Sequence, residues 1–168
     1  MKFTIDTISI DPILLQDIGS LQNLAEKSKD YIELVEGRPL RESDAGDMLL
    51  SLPDGKQMED KYVLAIREGE AFIGVIDVIK DYPKANIWFI GLLLLDPEYR
   101  NKGLGRKIYT GLKAELKSRG DFESIQISVF ENNTQALEFW KKLGFVEISS
   151  KIEQKAGKEM KFIYLEDK

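Results

Sequence analysis

The chain has 168 residues, 43% apolar and 32% charged, a balance that suits one compact soluble domain and is too apolar for disorder. It contains no Cys and no His, which removes disulfides, Cys/His zinc sites, Ser-His-Asp and Cys-His triads, and any thioester acyl-enzyme. The net charge of −5 argues against general nucleic-acid binding, which needs a positive field along the phosphates.

Taken in chain order, Lys2 to Ile8 reads as a strand, and Asp11-Pro12 as a helix start with a capping acid before Pro. From there to about Leu52 the pattern is helical but interrupted, at Gly19, at Gly37-Arg38-Pro39 and at Gly46. Tyr31, Leu34 and Val35 share one face of a short helix that ends near Gly37. Lys61 to Arg67 and Ala71 to Ile79 form a hairpin around Glu68-Gly69-Glu70. Ile87 to Leu95 is nearly all apolar, as expected of a strand covered on both faces.

A helix follows, with Leu104, Ile108, Leu112 and Leu116 along one face and Gly120 at its end. Ser124 to Val129 is another core strand, and Asn133 to Leu143 a second amphipathic helix ending at Gly144. Phe145 to Ile152 and Lys158 to Leu165 close the chain as a hairpin around Ala156-Gly157. The order predicts an α+β protein with helices on both faces of a sheet. No repeat and no Pro/Gly/Ser-rich linker divides it, so residues 1–168 are expected to be a single domain. No apolar run is long enough to span a bilayer and the N-terminus lacks a signal-peptide core, so neither membrane nor secretion is expected and a cytoplasmic location is the default.

Charge is uneven along the chain. Between Glu26 and Asp60, ten acids stand against five bases, so this stretch alone holds the whole net charge of −5. Such a segment favours a cationic ligand, or is simply a solvated helix face.

The segment Leu92 to Lys107 carries the chemistry. A buried strand runs through Asp96-Pro97-Glu98-Tyr99 into Arg100-Asn101-Lys102-Gly103-Leu104-Gly105-Arg106, where Gly-x-Gly opens a helix. Backbone N–H groups in such a loop and first helical turn lack intrachain partners, and the helix dipole adds partial positive charge. A pyrophosphate fits there. Glycines let it approach the backbone, and Arg100, Lys102 and Arg106 place cations at the rim. A Rossmann fingerprint would need a third Gly where Ile108 sits, and no P-loop sequence occurs.

Arg100 to Gly105 resembles the [QR]-x-x-G-x-[GA] signature of the GNAT acyl-CoA transferases, together with the strand and turn that precede it. Asn133-Thr134-Gln135-Ala136-Leu137-Glu138-Phe139-Trp140-Lys141-Lys142-Leu143-Gly144-Phe145 is similar to that family's second motif, one helix and one strand downstream. The resemblance implies a mixed, mostly antiparallel sheet of about seven strands, splayed between the strands at 87–95 and 124–129. It implies an N-acetyltransferase moving an acetyl group from acetyl-CoA to a primary amine by direct attack in a ternary complex, with no metal. A CoA-binding sensor or structural domain without turnover is the alternative.

By the same resemblance, the strand at Leu93, Leu94 and Leu95 would bond the pantetheine arm and the backbone from Arg100 to Arg106, Leu104 included, would hold the pyrophosphate. Asn133 would meet the pantetheine, with Phe139, Trp140 and Lys142 along the cofactor's other side. Asn133 also reads as a helix N-cap, a role for which Asn132 competes, and Phe139 as core packing.

The chain departs from the pattern in two places. Where many relatives carry a Tyr that protonates the leaving thiolate, Trp140 stands, and an indole N–H is too weak an acid. Ile87 to Leu95 also lacks the Glu that some relatives use as a base. Asp77, amid Val75, Ile76, Val78 and Ile79, is the best catalytic carboxylate, with a structural or solvent-facing role as the alternative. Tyr31, Glu33 and Glu36 are the candidate acceptor residues. The acceptor is expected to be a small-molecule or peptide amine, cationic, entering between the acidic segment and the strand of Asp77. A homodimer is compatible with this reading.

Overall fold

A computed structural model of the protein describes residues 1–120 and 122–168. Its strands are β1 (Phe3–Ile5), β2 (Ile8–Pro12), β3 (Lys61–Glu68), β4 (Ala71–Lys80), β5 (Ile87–Leu95), β6 (Ser124–Phe130), β7 (Val146–Lys155) and β8 (Lys158–Asp167). Its α-helices are α1 (Ile18–Lys27), α2 (Lys29–Glu36), α3 (Asp44–Leu50), α4 (Leu104–Ser118) and α5 (Thr134–Lys142). The strands form one sheet in the order β1-β2-β3-β4-β5-β6-β8-β7. Every neighbouring pair is antiparallel except β5–β6.

Apolar residues on the two faces of the sheet bury different helices. On one face Ile66, Ile76, Val78, Trp88 and Ile127 join Ile108, Leu112 and Leu116 of α4 and Trp140 of α5. On the other, Val75 and Leu94 pack with Leu21 and Leu24 of α1 and Ala45 of α3. Alternation along β4 therefore assigns Asp77, two residues from Val75, to the face covered by α1–α3.

The parallel pairing of β5 with β6 is brief. It runs from Ile87↔Ser124 to Ile90↔Ile127 and stops. At that point β5 carries a bulge: Asp77 pairs with Leu92 and Val78 with Ile90, which leaves Gly91 without an opposite residue. A bulge bends its strand and adds twist, so the C-terminal half of β5 leaves β6 and the sheet splays. The expected splay between these two strands is present, in a sheet of eight strands.

The eighth strand comes from the N-terminus. Asp6 takes a left-handed backbone at φ 51°, so the segment expected to be one strand folds back as the β1–β2 hairpin. Asp11-Pro12 does not start a helix. Both belong to β2, where Pro12, which has no N–H to donate, ends the ladder opposite Leu64 and Asp11 pairs with Arg67 of β3. Asp17 does the capping instead, accepting the Leu14 N–H at 2.8 Å in a turn of 3-10 helix that leads into α1. Gly19 and Gly46 lie inside α1 and α3; the helical region breaks at Ser28 and again at Gly37, whose φ is 69°.

Candidate active site

Two cavities open where β5 and β6 part. The smaller, of about 370 Å³, lies between the end of β5, the loop before α4, and α5. The larger, of about 500 Å³, lies between α2, α3 and the sheet at Asp77, Ile90 to Leu93 and Ser128 to Phe130. They meet: Tyr31, Leu93, Asn133, Ala136 and Trp140 line both.

The smaller cavity is built by the loop that the sequence singles out. Asn101 and Gly103 both have left-handed backbones, at φ 58° and 80°, and α4 starts immediately after. The first amide of this helix to find a carbonyl is Lys107, bonded to Gly103. The N–H groups from Asn101 to Arg106 have no protein acceptor among the described residues, and they lie at the positive end of the α4 dipole. Packing is tight at Gly105: a Cβ there would stand 3.1 Å from the Phe139 ring.

Leu93, Leu94, Leu95, Arg100, Asn101, Gly103, Gly105, Arg106, Asn133, Phe139 and Trp140 line this cavity. Lys102, Leu104 and Lys142 do not. Lys102 and Lys142 are exposed beside it, and Leu104 packs against the core. The Arg100 side chain is not a rim cation. Its Nε donates to the Leu95 carbonyl at 2.7 Å and its guanidinium to Ser28 Oγ at 2.6 Å. With the Lys27–Asp96 pair at 2.6 Å, it ties the loop to the α1–α2 junction. Ser28, Gln135 and Ala136 are additions that sequence reasoning missed, although Gln135 and Ala136 lie inside the second motif.

Asn133 is the N-cap of α5, its Oδ1 accepting the Ala136 N–H at 3.2 Å, while its side of the helix start also faces both cavities. Trp140 is buried in an aromatic cluster, edge-on to Tyr109, Phe139 and Phe145 at centroid distances of 5.7, 5.0 and 5.0 Å. Tyr31 reaches the junction from α2. Burial pushes its hydroxyl up to about 12, with Glu36 adding to the effect and Arg100 opposing it.

The walls of the larger cavity carry Glu36, Asp44, Asp47 and Asp77 against Arg38 and Lys155. Most of these charges are paired. Arg38 holds Asp44 through two hydrogen bonds of 3.0 and 2.6 Å, which keeps that carboxyl below its ordinary range despite burial. Lys155 meets Glu36 at 3.3 Å. Asp77 pairs with Lys61 at 2.8 Å, a partner that sequence reasoning missed. The Asp47 carboxylate has no salt-bridge partner among the described residues and accepts a hydrogen bond from the Ser43 hydroxyl at 3.3 Å. Of the acceptor candidates, Tyr31 and Glu36 line the cavity; Glu33 is exposed on α2 and lines neither cavity.

Comparison with known proteins agrees with this geometry. The family model described as "Acetyltransferase (GNAT) family" matches residues 23–145. A spermine/spermidine N(1)-acetyltransferase of Bacillus subtilis (strain 168) is 26% identical over 119 residues, which is 70% of this chain and 74% of that protein. Among solved structures, an acetyltransferase from Thermus thermophilus has a TM-score of 0.72 at 20% identity, with 98% of each chain covered. A GNAT-family acetyltransferase from Bacillus anthracis has a TM-score of 0.76 at 15% identity, covering 99% of this chain and 98% of that one. The structural likenesses carry the fold, and the family match spans both motifs and the whole of the splayed region: the chain belongs to the GNAT acetyltransferase family.

Proposed function

We propose that the protein transfers an acetyl group from acetyl-CoA to the primary amine of a cationic acceptor, by direct attack in a ternary complex. The observation that carries this reading is the pair of cavities joined through Tyr31, Leu93, Asn133, Ala136 and Trp140. One has the unpartnered amides that suit a pyrophosphate; the other has acidic walls.

The residues divide the work accordingly. The backbone from Asn101 to Arg106 would hold the pyrophosphate, with Arg106 and Lys102 nearby as cations and Leu104 anchoring the loop. Past Ile90 the edge of β5 facing β6 is free of sheet pairing, so Leu93 to Leu95 can bond the pantetheine as an added strand would. A backbone N–H near Leu93 would meet the acetyl oxygen as it gains charge. Asn133, Phe139 and Trp140 would line the far side of the arm, with Lys142 at its edge. Bound acetyl-CoA supplies the activated acyl group and a thiolate leaving group with a pKa near 8.5. Asp77 would take the proton from the acceptor amine.

With Trp140 buried at the junction, Tyr31 is the tyrosine that lines both cavities, and it keeps its proton to about 12. Tyr31 is therefore the donor available to the departing sulfur. The rate should rise with pH as the amine deprotonates, without an alkaline fall in the accessible range. Trp140→Tyr is expected to leave the rate unchanged or to raise it, without adding an alkaline fall, since Tyr31 already supplies the proton and a phenol at 140 is only a second donor. Comparing kcat/KM against pH for the two proteins checks this; an alkaline limb in the wild-type argues against it.

Spermine and spermidine, named for the B. subtilis relative, are cationic amines of the kind that Glu36 and Asp47 would attract. Asp47→Asn should raise the Michaelis constant for such an acceptor several-fold and spare that for acetyl-CoA, the signature of a contact made equally in ground and transition states. The same constant should worsen with salt, since screening at 0.15 M limits exposed charges to about 8 Å. Thiol release measured against a panel of amines tests the reading as a whole. No release with any amine, or a preference for neutral or anionic acceptors, would count against it.

A further inference from the structure

Asp77 lines the larger cavity, and half of its carboxylate is already engaged. Oδ2 accepts a hydrogen bond from Lys61 Nζ at 2.8 Å, while Oδ1 is buried and has no partner among the described residues. The Lys61 side chain is 1% exposed, and its ammonium makes a second hydrogen bond, 2.6 Å long, to the Ser51 carbonyl just past α3. Gly91 closes over the carboxylate: a Cβ at that bulge would lie 3.1 Å from Oδ2. The group is thus fixed in orientation, and its residue still lines the acceptor cavity.

A lysine this deeply withdrawn needs a reason, and stability alone is a weak one. A buried ion pair often does no better than apolar residues of the same volume. An unsatisfied buried oxygen is also costly, unless a ligand supplies the missing donor. A primary ammonium is such a donor.

We propose that Lys61 is a positioning residue for the transfer reaction: it holds Asp77 as an anion at the wall of the acceptor cavity, with one carboxylate oxygen left without a protein donor, and through Ser51 it ties this base to the helix walling that cavity. The proposal rests on the amine-acetylation reading above. In the step itself, an N–H bond of the ammonium breaks, an O–H bond forms at the Asp77 carboxylate, and the electron pair stays on nitrogen, which becomes the nucleophile.

The surroundings of Asp77 leave Lys61 as its dominant charge. From β5 it meets Gly91 and Leu92, and its own strand offers Val75 and Ile79. On α2, α3 and the hairpin, Arg38 is spent on Asp44 and Lys155 on Glu36, with Asp47 at the cavity wall. Burial raises the Asp77 carboxyl above its ordinary range and Lys61 opposes that. Without Lys61 the burial effect is unopposed, so the carboxyl should hold its proton to higher pH.

The test titrates the Asp77 carboxyl by ¹³C NMR in the full chain, and measures kcat/KM for spermine against pH, in wild-type, Lys61→Met and Lys61→Arg. In Lys61→Met the Asp77 midpoint should rise by about one pH unit or more, and the acid limb of kcat/KM should rise with it, costing about tenfold in rate below the limb for each unit. Lys61→Arg should return both toward wild-type. If Lys61→Met does not fold, Lys61→Gln removes the charge while keeping a hydrogen-bond donor and gives the same readout. An Asp77 midpoint that stays in place while the rate falls equally at every pH overturns the proposal, because a merely structural lysine would do that. A wild-type inert toward all amines, with the midpoint still moved by Lys61→Met, overturns the acetylation reading instead.

Discussion

Gly105→Asp is expected to weaken acetyl-CoA binding by at least about a hundredfold, the scale of a like charge forced against a like charge in a confined site. The position lies in the first turn of α4, among amides that have no protein acceptor, and it lines the smaller cavity. A carboxylate there would occupy the space meant for phosphate and cancel the positive end of the helix dipole. Steric crowding is the lesser effect. Gly105→Ala brings a Cβ to 3.1 Å from the outer edge of the Phe139 ring, which can give way, so its loss should stay below about tenfold. Titration calorimetry of both variants, with circular dichroism to verify folding, separates charge from size. Undiminished affinity in Gly105→Asp would sink the cofactor assignment.

Asp77→Asn should lower kcat by about a hundredfold or more, the usual range for removing a general base, while acetyl-CoA affinity stays the same. It should also destabilise the fold. The Lys61 ammonium, 1% exposed, would keep the Ser51 carbonyl but lose its counter-charge, and breaking one side of a buried pair costs about 3–5 kcal/mol. The two effects can be told apart. Asp77→Asn with Lys61→Met removes both charges and should recover most of the lost melting temperature without recovering kcat. If the double variant regains activity along with stability, Asp77 acts as scaffold and another group takes the proton.

Much of the cofactor half of the site was legible in the sequence because its parts are local. The strand, the Asp96-Pro97 turn, Gly103, Gly105 and the start of α4 are contiguous, and their geometry follows from turn chemistry and helix-end amides. The acceptor half was less legible. Its walls come from α2, α3, β4, β5, β6 and the β7–β8 hairpin, so which acids face inward depends on how distant segments pack. Glu33 and Glu36 look alike in sequence, yet only Glu36 lines the cavity.

Arg100 illustrates the same limit. Its charge and position suggest a phosphate contact, but Ser28, distant in sequence, takes its guanidinium. Composition and motif spacing were enough to specify the family fold, the phosphate-binding turn and the absence of Cys and His chemistry, since each depends on residue type and short-range order. The pairing of Lys61 with Asp77 was decided only by tertiary structure. Glu68 pairs with Ala71 at the turn, and an unbroken hairpin in that register would place the two side chains on opposite faces of the sheet. The irregularity between Ile66 and Arg67 inserts one extra residue in β4 and shifts the register, so that Lys61 comes opposite Ile79 and Val63 opposite Asp77. Because side chains alternate with a period of two, that single-residue shift moves Lys61 to the face of Asp77, and no local pattern in either strand encodes it.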